Sequence, residues 1–339
     1  MTNSISVLEL KKLIITILNK EGVPVDQSEI IADSIIYAHL SGKGTHGVIR
    51  IPIYIKKIQK GIMEADTKLS TMQSKGVVEI CSANHGFGQV AAYYGMKRAI
   101  KKAKDLGVGI VSIRNSNNFG VAAYFCQQAV DEGMIGVLYS NSAPAIAPWG
   151  GKKPLFGTNP MAYGFPSPEG LPPIVFDMAV SSAARGKIRL AAKYGEKIPF
   201  GWALDREGNP TNDPDLALNG SMIPIGEYKG AGLAMIVDYF AGLLSGAGFA
   251  GNVKPLNIDS GFSDNGHFIM AMNPEFFMLA DEYEERFNAF LKSIIEAGPD
   301  VRIPGENVYK TRLEKKQSIA LSAKVYTEFM ALKKRYSVV

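Results

Sequence analysis

Val77-Val78-Glu79-Ile80-Cys81-Ser82-Ala83-Asn84-His85-Gly86-Phe87-Gly88-Gln89-Val90-Ala91 reads as a strand, a glycine turn and the start of a helix. Gly86, Gly88 and Ala91 nearly complete G-x-G-x-x-G, which binds a pyrophosphate when it joins a strand to a helix. The fingerprint also needs an acidic residue about 20 residues on, at the end of a second strand. Asp105 lies near that distance, but at the C-terminal end of the predicted helix over 89–106. The pattern recurs as Gly42-Gly44-Gly47 and Gly246-Gly248-Gly251, each time after a helix. With 35 glycines in the chain, chance matches are expected. The stretch therefore predicts an α/β region without a conventional Rossmann site.

Outward from it, strands and helices alternate. Strands are predicted at 77–80, 108–113, 135–139, 161–164 and 174–177, with a helix over 121–131 ended by Gly133. The segment 141–160 is a structured loop rich in proline and glycine. Toward the N-terminus, Ser6 and Glu9 form a capping box before Leu10, Leu13, Ile14, Ile17 and Leu18 at helical spacing. Asp26 and Glu29 repeat the start signal for a second helix, and a third runs to about Gly61. Toward the C-terminus come an apolar helix over 231–244, a strand at 268–272, a charged helix over 281–297 and a last helix over 318–334. The layout predicts an α/β fold. A central nucleotide-binding domain, 76–215, is inserted into a mainly helical substrate and dimerisation domain built from 1–75 plus 216–339.

A chain of 339 residues with 46% apolar and 20% charged residues is globular. The net charge of +5 is spread over many segments, which argues against nucleic acid as a partner. Only Cys81 and Cys126 occur, so neither a disulfide framework nor a zinc site is expected, and a cytoplasmic location is. No basic and apolar leader is visible, and Gly232, Asp238 and Gly242 interrupt the longest apolar run, so no membrane span is expected.

The chemistry concentrates in Thr45-His46-Gly47-Val48-Ile49-Arg50-Ile51-Pro52-Ile53-Tyr54. It offers a proton carrier, a fork for a carboxylate and a hydrogen-bonding ring, the set a small 2-oxo or 2-hydroxy acid needs. Pro52 belongs in a helix's first turn, so Arg50 and Tyr54 share a side while His46 sits in the preceding loop. Of the other histidines, His39 reads as a packing or surface residue, His85 as a turn cap and His267 as structural; no pair has metal-ligand spacing. Asp177 ends an apolar strand, where it either orients an imidazole or caps a helix. Lys229, among glycines, either meets an anion or is solvated.

Other segments point the same way: Asn115-Ser116-Asn117-Asn118-Phe119-Gly120, Ala147-Pro148-Trp149-Gly150-Gly151, Gly157-Thr158-Asn159-Pro160 and Asp177-Met178-Ala179. Ile198-Pro199 with Gly201-Trp202-Ala203, Tyr228-Lys229-Gly230, and Arg302 with Pro304-Gly305-Glu306 complete the set. Together, in this order from residue 45 to 306, they resemble the malate/L-lactate dehydrogenase family, which also includes sulfolactate dehydrogenases and cyclic-imine carboxylate reductases. The resemblance implies a homodimeric oxidoreductase with a non-Rossmann nucleotide-binding domain. NAD is the expected cofactor, with NADP the alternative, and the partner is a small anionic substrate.

The resemblance also assigns roles. His46 supplies the proton, supported by Asp177 and by the Thr45 hydroxyl. Arg50 holds the substrate carboxylate, and Tyr54, Asn118 and Thr158 line the substrate. Cofactor contacts fall on Asn141, on Phe176, Asp177, Met178, Ala179, Val180, Ser181 and Ser182, on Tyr228 and Lys229, and on Gly305, Glu306 and Asn307. No metal is expected. Many relatives carry His where this chain has Asn118, which cannot titrate. Either His46 carries the proton alone, which is the expectation adopted, or the substrate differs from those of such relatives, or turnover is weak. Three functions follow: 2-oxo acid reduction, cyclic-imine carboxylate reduction, or dinucleotide sensing without turnover.

Overall fold

The computed structural model describes residues 2–315 and 317–337. A short strand β1 (Thr2–Ser6) leads into three helices, α1 (Val7–Lys20), α2 (Val25–Leu40) and α3 (Ile51–Gln59). Ser6 Oγ accepts the Glu9 N–H at 3.1 Å, the first half of the predicted capping box. Helix α2 instead starts behind Pro24, with no side-chain cap; Asp26 merely falls in its first turn. Leu10, Ile14, Ile17, Ile31, Ile35 and Ile51 meet in one fully buried core. Each such side chain contributes about 1.5–3 kcal/mol, so the helices are held by packing and not by propensity.

The α/β part follows: β2 (Ser70–Lys75), β3 (Val78–Ser82), α4 (Gly88–Leu106), β4 (Val108–Ser116), α5 (Ala122–Asp131), β5 (Ile135–Ser140), β6 (Met161–Phe165) and β7 (Ile174–Met178). A segment with no predicted helix or strand then forms α6 (Arg185–Tyr194), β8 (Ala203–Leu204), β9 (Pro210–Thr211), α7 (Pro214–Asn219) and β10 (Ser221–Met222). The apolar helix is α8 (Tyr228–Asp238), continued as a π-helical turn over Tyr239–Leu243. After it come β11 (Asn265–Met272), α9 (Ala280–Glu296), α10 (Glu306–Glu314), β12 (Ser318–Ser322) and α11 (Ala323–Arg335).

The main sheet has seven strands in the order β2-β3-β4-β11-β5-β6-β7. Among the described strands, β3 and β4 alone pair in parallel, joined by α4; every other pair is antiparallel. Strand β11 sits at the centre although it lies outside 76–215, so the sheet does not follow the expected partition of the chain. Its run Phe268-Ile269-Met270-Ala271-Met272 reads as continuously apolar because a central strand is covered on both faces.

The last helix was expected from residue 318. The segment Ser318–Ser322 is instead a strand paired antiparallel with β1, and the helix starts after Ser322, whose Oγ accepts the Val325 N–H. The reason is the period: Ile319 and Leu321 are buried while Ser318, Ala320 and Ser322 are exposed, an alternation of two. Tyr37, Ala38, Val121 and Ala123 form a small apolar seam between α2 and the start of α5. That seam brings the turn after α2 to the end of β7.

Candidate active site

The turn after α2 is shaped from behind by His39. Its Nε2 accepts the Val48 N–H at 3.0 Å. Burial pushes His39 down to about 4, which keeps that lone pair free at neutral pH. Gly47 passes so close that a Cβ there would lie 2.1 Å from the same nitrogen. His39 is thus a structural acceptor, more specific than the packing or surface residue expected. Pinned there, the chain makes two 3₁₀ turns, Gly44–His46 and Val48–Arg50, before Pro52 enters the first turn of α3.

This loop gathers the expected chemistry. Thr45 Oγ1 lies 3.2 Å from His46 Nδ1. Burial, joined by the charges of Arg50 and Lys43, pushes His46 down to about 4, while Asp177 pulls the other way. Arg50 Nε donates to the Thr45 carbonyl at 2.8 Å, leaving both Nη groups without a hydrogen bond among the described residues. A guanidinium anchored by Nε alone presents its outer edge for a bidentate anion.

Tyr54 departs from the expected substrate contact. It is fully buried, edge-on to Phe87, and its hydroxyl accepts from Gln89 Nε2 at 2.8 Å. Asn118 is half-buried, with Oδ1 accepting the Gly120 N–H at 3.1 Å. Its amide N–H₂ remains available as a donor.

Asp177 also departs. Its Oδ2 accepts from Lys43 Nζ at 2.7 Å and from the Ala123 N–H at 3.1 Å. It forms no hydrogen bond with His46 and acts on it through charge. Lys43, three residues before His46, has taken the carboxylate; its place between Gly42 and Gly44 was the available signal.

A cavity of about 150 Å³ opens at this pair, lined by Lys43, Val121, Phe176, Asp177, Gly305 and Arg312, among others. Gly305, at φ +88°, presses on β7 so closely that a Cβ would lie 2.6 Å from the Val175 carbonyl. Two segments expected to contact a cofactor, around residues 176 and 305, thus meet at one cavity. Arg312 lies over the Tyr37 ring at 4.1 Å, another contributor not singled out in the sequence. Glu306 is engaged by Lys310 on the outer side of α10, and Asn307 is exposed beside it.

The other expected cofactor contacts are not drawn into that cavity. Asn141 lies away from that cavity. It is buried, its Nδ2 donates to the Gly248 carbonyl at 2.6 Å, and its Oδ1 accepts the Gly266 N–H at 2.9 Å, so it braces the sheet against the loop after α8. Met178 and Val180 pack in the apolar cluster behind β7, with Ala179 half-buried between them. Ser181 Oγ donates to the Ala183 carbonyl and Ser182 Oγ to the Pro224 carbonyl. The Thr158 carbonyl accepts the Val180 N–H at 2.9 Å and its hydroxyl lies 3.5 Å from Ser142 Oγ. Tyr228 is exposed beside Trp149, with Lys229 Nζ over its ring at 6.0 Å.

The glycine turn at 86–88 is closed. A Cβ at Gly86 would lie 2.5 Å from Thr67 Oγ1, and one at Gly88 only 2.0 Å from the Asn117 carbonyl. Both glycines serve close packing within the protein. His85 stacks on Phe262 at 3.9 Å, and His267 is buried between Ser140 and Ser116. Among the described residues, no group of three or more His, Cys, Asp or Glu could hold a metal, and no helix is long and apolar enough to cross a membrane.

Comparison with known proteins matches residues 5–330 to the malate/L-lactate dehydrogenase family. The malate/(S)-sulfolactate dehydrogenase of Methanothermus fervidus is 41% identical over 95% of this chain and 94% of its own. The delta(1)-pyrroline-2-carboxylate reductase of Ancylobacter novellus is 33% identical over 98% of each chain. The structure of sulfolactate dehydrogenase from Methanocaldococcus jannaschii superposes with a TM-score of 0.92 at 34% identity, covering 99% of this chain and 98% of that one.

Proposed function

The chain belongs to the malate/L-lactate dehydrogenase family, and from that premise we propose that it reduces a small 2-oxo acid reversibly, with His46 as the proton carrier. The observation that carries the reading is the pairing of His46 with the open fork of Arg50, one turn of chain apart. The fork takes the substrate carboxylate, which fixes the neighbouring carbonyl near His46. Asn118 donates from its amide to a substrate oxygen.

The charges around His46 give the site a direction. Unliganded, the imidazole is held neutral, since burial and two cations push it down to about 4. A neutral imidazole accepts a proton, which serves oxidation of a 2-hydroxy acid. For reduction it must be protonated. A carboxylate docked on Arg50 cancels one of the charges that resist this, and Asp177 already favours it. Substrate binding therefore prepares its own proton donor.

A nicotinamide dinucleotide, when bound, supplies or accepts the hydride. The cavity between Phe176, Asp177 and Gly305 has room for one ring or phosphate of such a group: it opens beside Lys43, and Gly305 adds no side chain there. NAD is our first assignment and NADP the second, decided by kcat/KM with the two reduced forms. The decisive assay is a panel of 2-oxo acids followed by nicotinamide absorbance. Absence of turnover on every 2-oxo acid would sink the reading.

The 33% identical pyrroline-carboxylate reductase favours one alternative, a cyclic imine with its carboxylate on the same Arg50. Turnover of piperideine-2-carboxylate with none of oxaloacetate or pyruvate would select it; dinucleotide binding without turnover of either class would leave a sensor. We also assign a homodimer. Met235, Ile236, Tyr239 and Leu243 form an exposed apolar row on α8 and its π-helical turn, wider than a solitary surface residue. Light scattering at the mass of one chain would overturn it. Two buried, unpaired thiols support a reducing, cytoplasmic setting.

A further inference from the structure

The cavity between α2, β7 and α10 holds more positive charge than the protein balances. Lys43, Asp177 and Arg312 are the charged side chains among those that line it. Lys43 Nζ and Asp177 Oδ2 lie 2.7 Å apart and neutralise each other. Arg312 has no ion pair among the described residues. Its guanidinium lies 4.1 Å from the centre of the Tyr37 ring. A ring face attracts a guanidinium without neutralising it. Burial pushes the Tyr37 hydroxyl up to about 12, so it stays a phenol and supplies no counter-charge.

Two helices give a face to this cavity. On α10, Val308, Tyr309 and Arg312 recur at helical spacing behind Gly305, and all four line it. On α2, Tyr37 lines it together with Ser41, four residues on, whose N–H donates to the Tyr37 carbonyl at 2.9 Å. The Ser41 hydroxyl is a second, independent sign of a missing partner. Its Oγ is buried and has no hydrogen bond among the described residues. A buried hydroxyl of that kind is destabilising until something pairs with it. The backbone points the same way. No side chain caps α10 at Gly305, so the N–H groups of its first turn and the helix dipole favour negative charge at the cavity's edge.

We propose that Arg312 and Ser41 hold a phosphate group of the nicotinamide dinucleotide in this cavity. The proposal rests on the nicotinamide-dependent reading above and adds which side chains carry the cofactor's charge. A guanidinium edge meets two phosphate oxygens at once, and a serine hydroxyl donates to a third. A cavity of about 150 Å³ takes one phosphate or one ring and not a whole dinucleotide. The unpaired cation and the partnerless hydroxyl select the phosphate over the ring. Asp177 does not oppose it at full strength, because Lys43 already holds that carboxylate. The dinucleotide offers the same chemistry in two places: the bridging diphosphate, common to NAD and NADP, and the 2′-phosphate, present in NADP alone.

The test measures binding of NADH and NADPH by their fluorescence in the wild-type protein, Arg312→Met, Arg312→Lys and Ser41→Ala, with a melt of each variant to show that it folds. Arg312→Met is expected to weaken binding about 10- to 100-fold, the range for a charged hydrogen bond, and Ser41→Ala about 2- to 10-fold. Arg312→Lys keeps the charge over Tyr37, recovers part of the loss, and carries the test if the Met variant does not fold. A loss confined to NADPH places the 2′-phosphate here; an equal loss for both places the diphosphate here. In parallel, inorganic phosphate and pyrophosphate should raise Tm of the wild-type protein more than that of Arg312→Met. Unchanged affinity for both dinucleotides in the Arg312 variants overturns the proposal, and so does a Tm rise that survives the substitution. Equal weakening of a phosphate-free benzyl dihydronicotinamide would make Arg312 a structural residue and overturn it as well. If dinucleotide affinity falls as stated while no 2-oxo acid turns over, the reaction reading fails and the phosphate reading stands. If neither dinucleotide binds the wild-type protein, both fail.

Discussion

Two turns in this chain carry nearly the same glycine pattern, the second with Ala91 in the last place, and they have opposite fates. The turn over residues 42–47 and the turn over residues 86–91 both space their glycines for close backbone approach. At the first, Gly47 passes a neutral His39, and the chain on either side of it holds Thr45, His46 and Arg50 together. At the second, Gly86 and Gly88 press on Thr67 and on the Asn117 carbonyl, leaving no room for a phosphate. The glycines report that something comes close. What comes close, a ligand or the protein's own carbonyl, is decided by parts of the chain far away.

The comparison can be broken at four points. His46→Ala should lower kcat for 2-oxo acid reduction about 10²- to 10⁴-fold, the range for a lost general acid, with Tm unchanged; steady-state kinetics beside a melt reads both. Full retained kcat would remove the first turn from the chemistry. At the second turn, Gly88→Ala should cost about 1–3 kcal/mol of stability through overpacking, since its Cβ would lie 2.0 Å from the Asn117 carbonyl. Urea titration measures this, and a loss of cofactor affinity without a loss of stability would reopen the site there. Gly47→Ala falls between the two. It displaces the His39 ring and weakens the Val48 bond, worth about 0.5–1.5 kcal/mol, and tilts His46 enough to lower kcat about tenfold.

The smallest effect is on pH. His39, His46 and His267 are held at about 4, about 4 and about 3, below the ordinary value of 6.5. Between those values the unfolded chain binds protons that the folded chain does not, so their contribution is full above 6.5 and is lost as pH falls toward 3. Urea midpoints at pH 7.5 and 4.5 should show that slope, shallower by about one proton in His39→Gln. In the same range, kcat/KM for reduction should fall as pH rises above 4, whereas that for oxidation should level off. A flat profile in both directions would separate His46 from the proton.

Much of the fold was legible because its segments carry strong periods. Helices α1, α4 and α9 and strands β4 to β7 lie within a few residues of their expected places. Two kinds of element were missed. Strand β12 has only two large apolar residues, Ile319 and Leu321, and its neighbours are good helix formers, so its pairing with β1 is a long-range choice. Helix α6 carries four basic residues in ten and buries only Ile188 and Ala191, so its two-faced pattern is short and easily passed over beside the glycine and proline punctuation that follows. At the site, His46, Thr45 and Arg50 were readable because they share one short loop. Asn141 and Tyr54 are the hardest to read, since a polar side chain in a matching motif looks alike whether it meets a ligand or braces the core. Lys43 had only its place between two glycines to mark it, and its partner Asp177 lies 134 residues away, a pairing that spacing does not show.

The position of β11 sets an order on assembly. Strands β4 and β5 are near neighbours in sequence, yet they do not touch along their lengths; β11 lies between them, and the segment 141–264 must be made first. While the chain emerges, the two strands have an unfilled slot between them, with apolar Val111, Ile113 and Leu138 on its sides. Two edges of that kind are a template for pairing with the wrong chain. Closing the long loop costs little more than closing a short one, about 0.6 kcal/mol for each doubling of length. The hazard is one of time. During synthesis this protein is expected to depend on whatever shields nascent strand edges until Met272 has cleared the ribosome, and no stabilising substitution in the finished fold would shorten that interval.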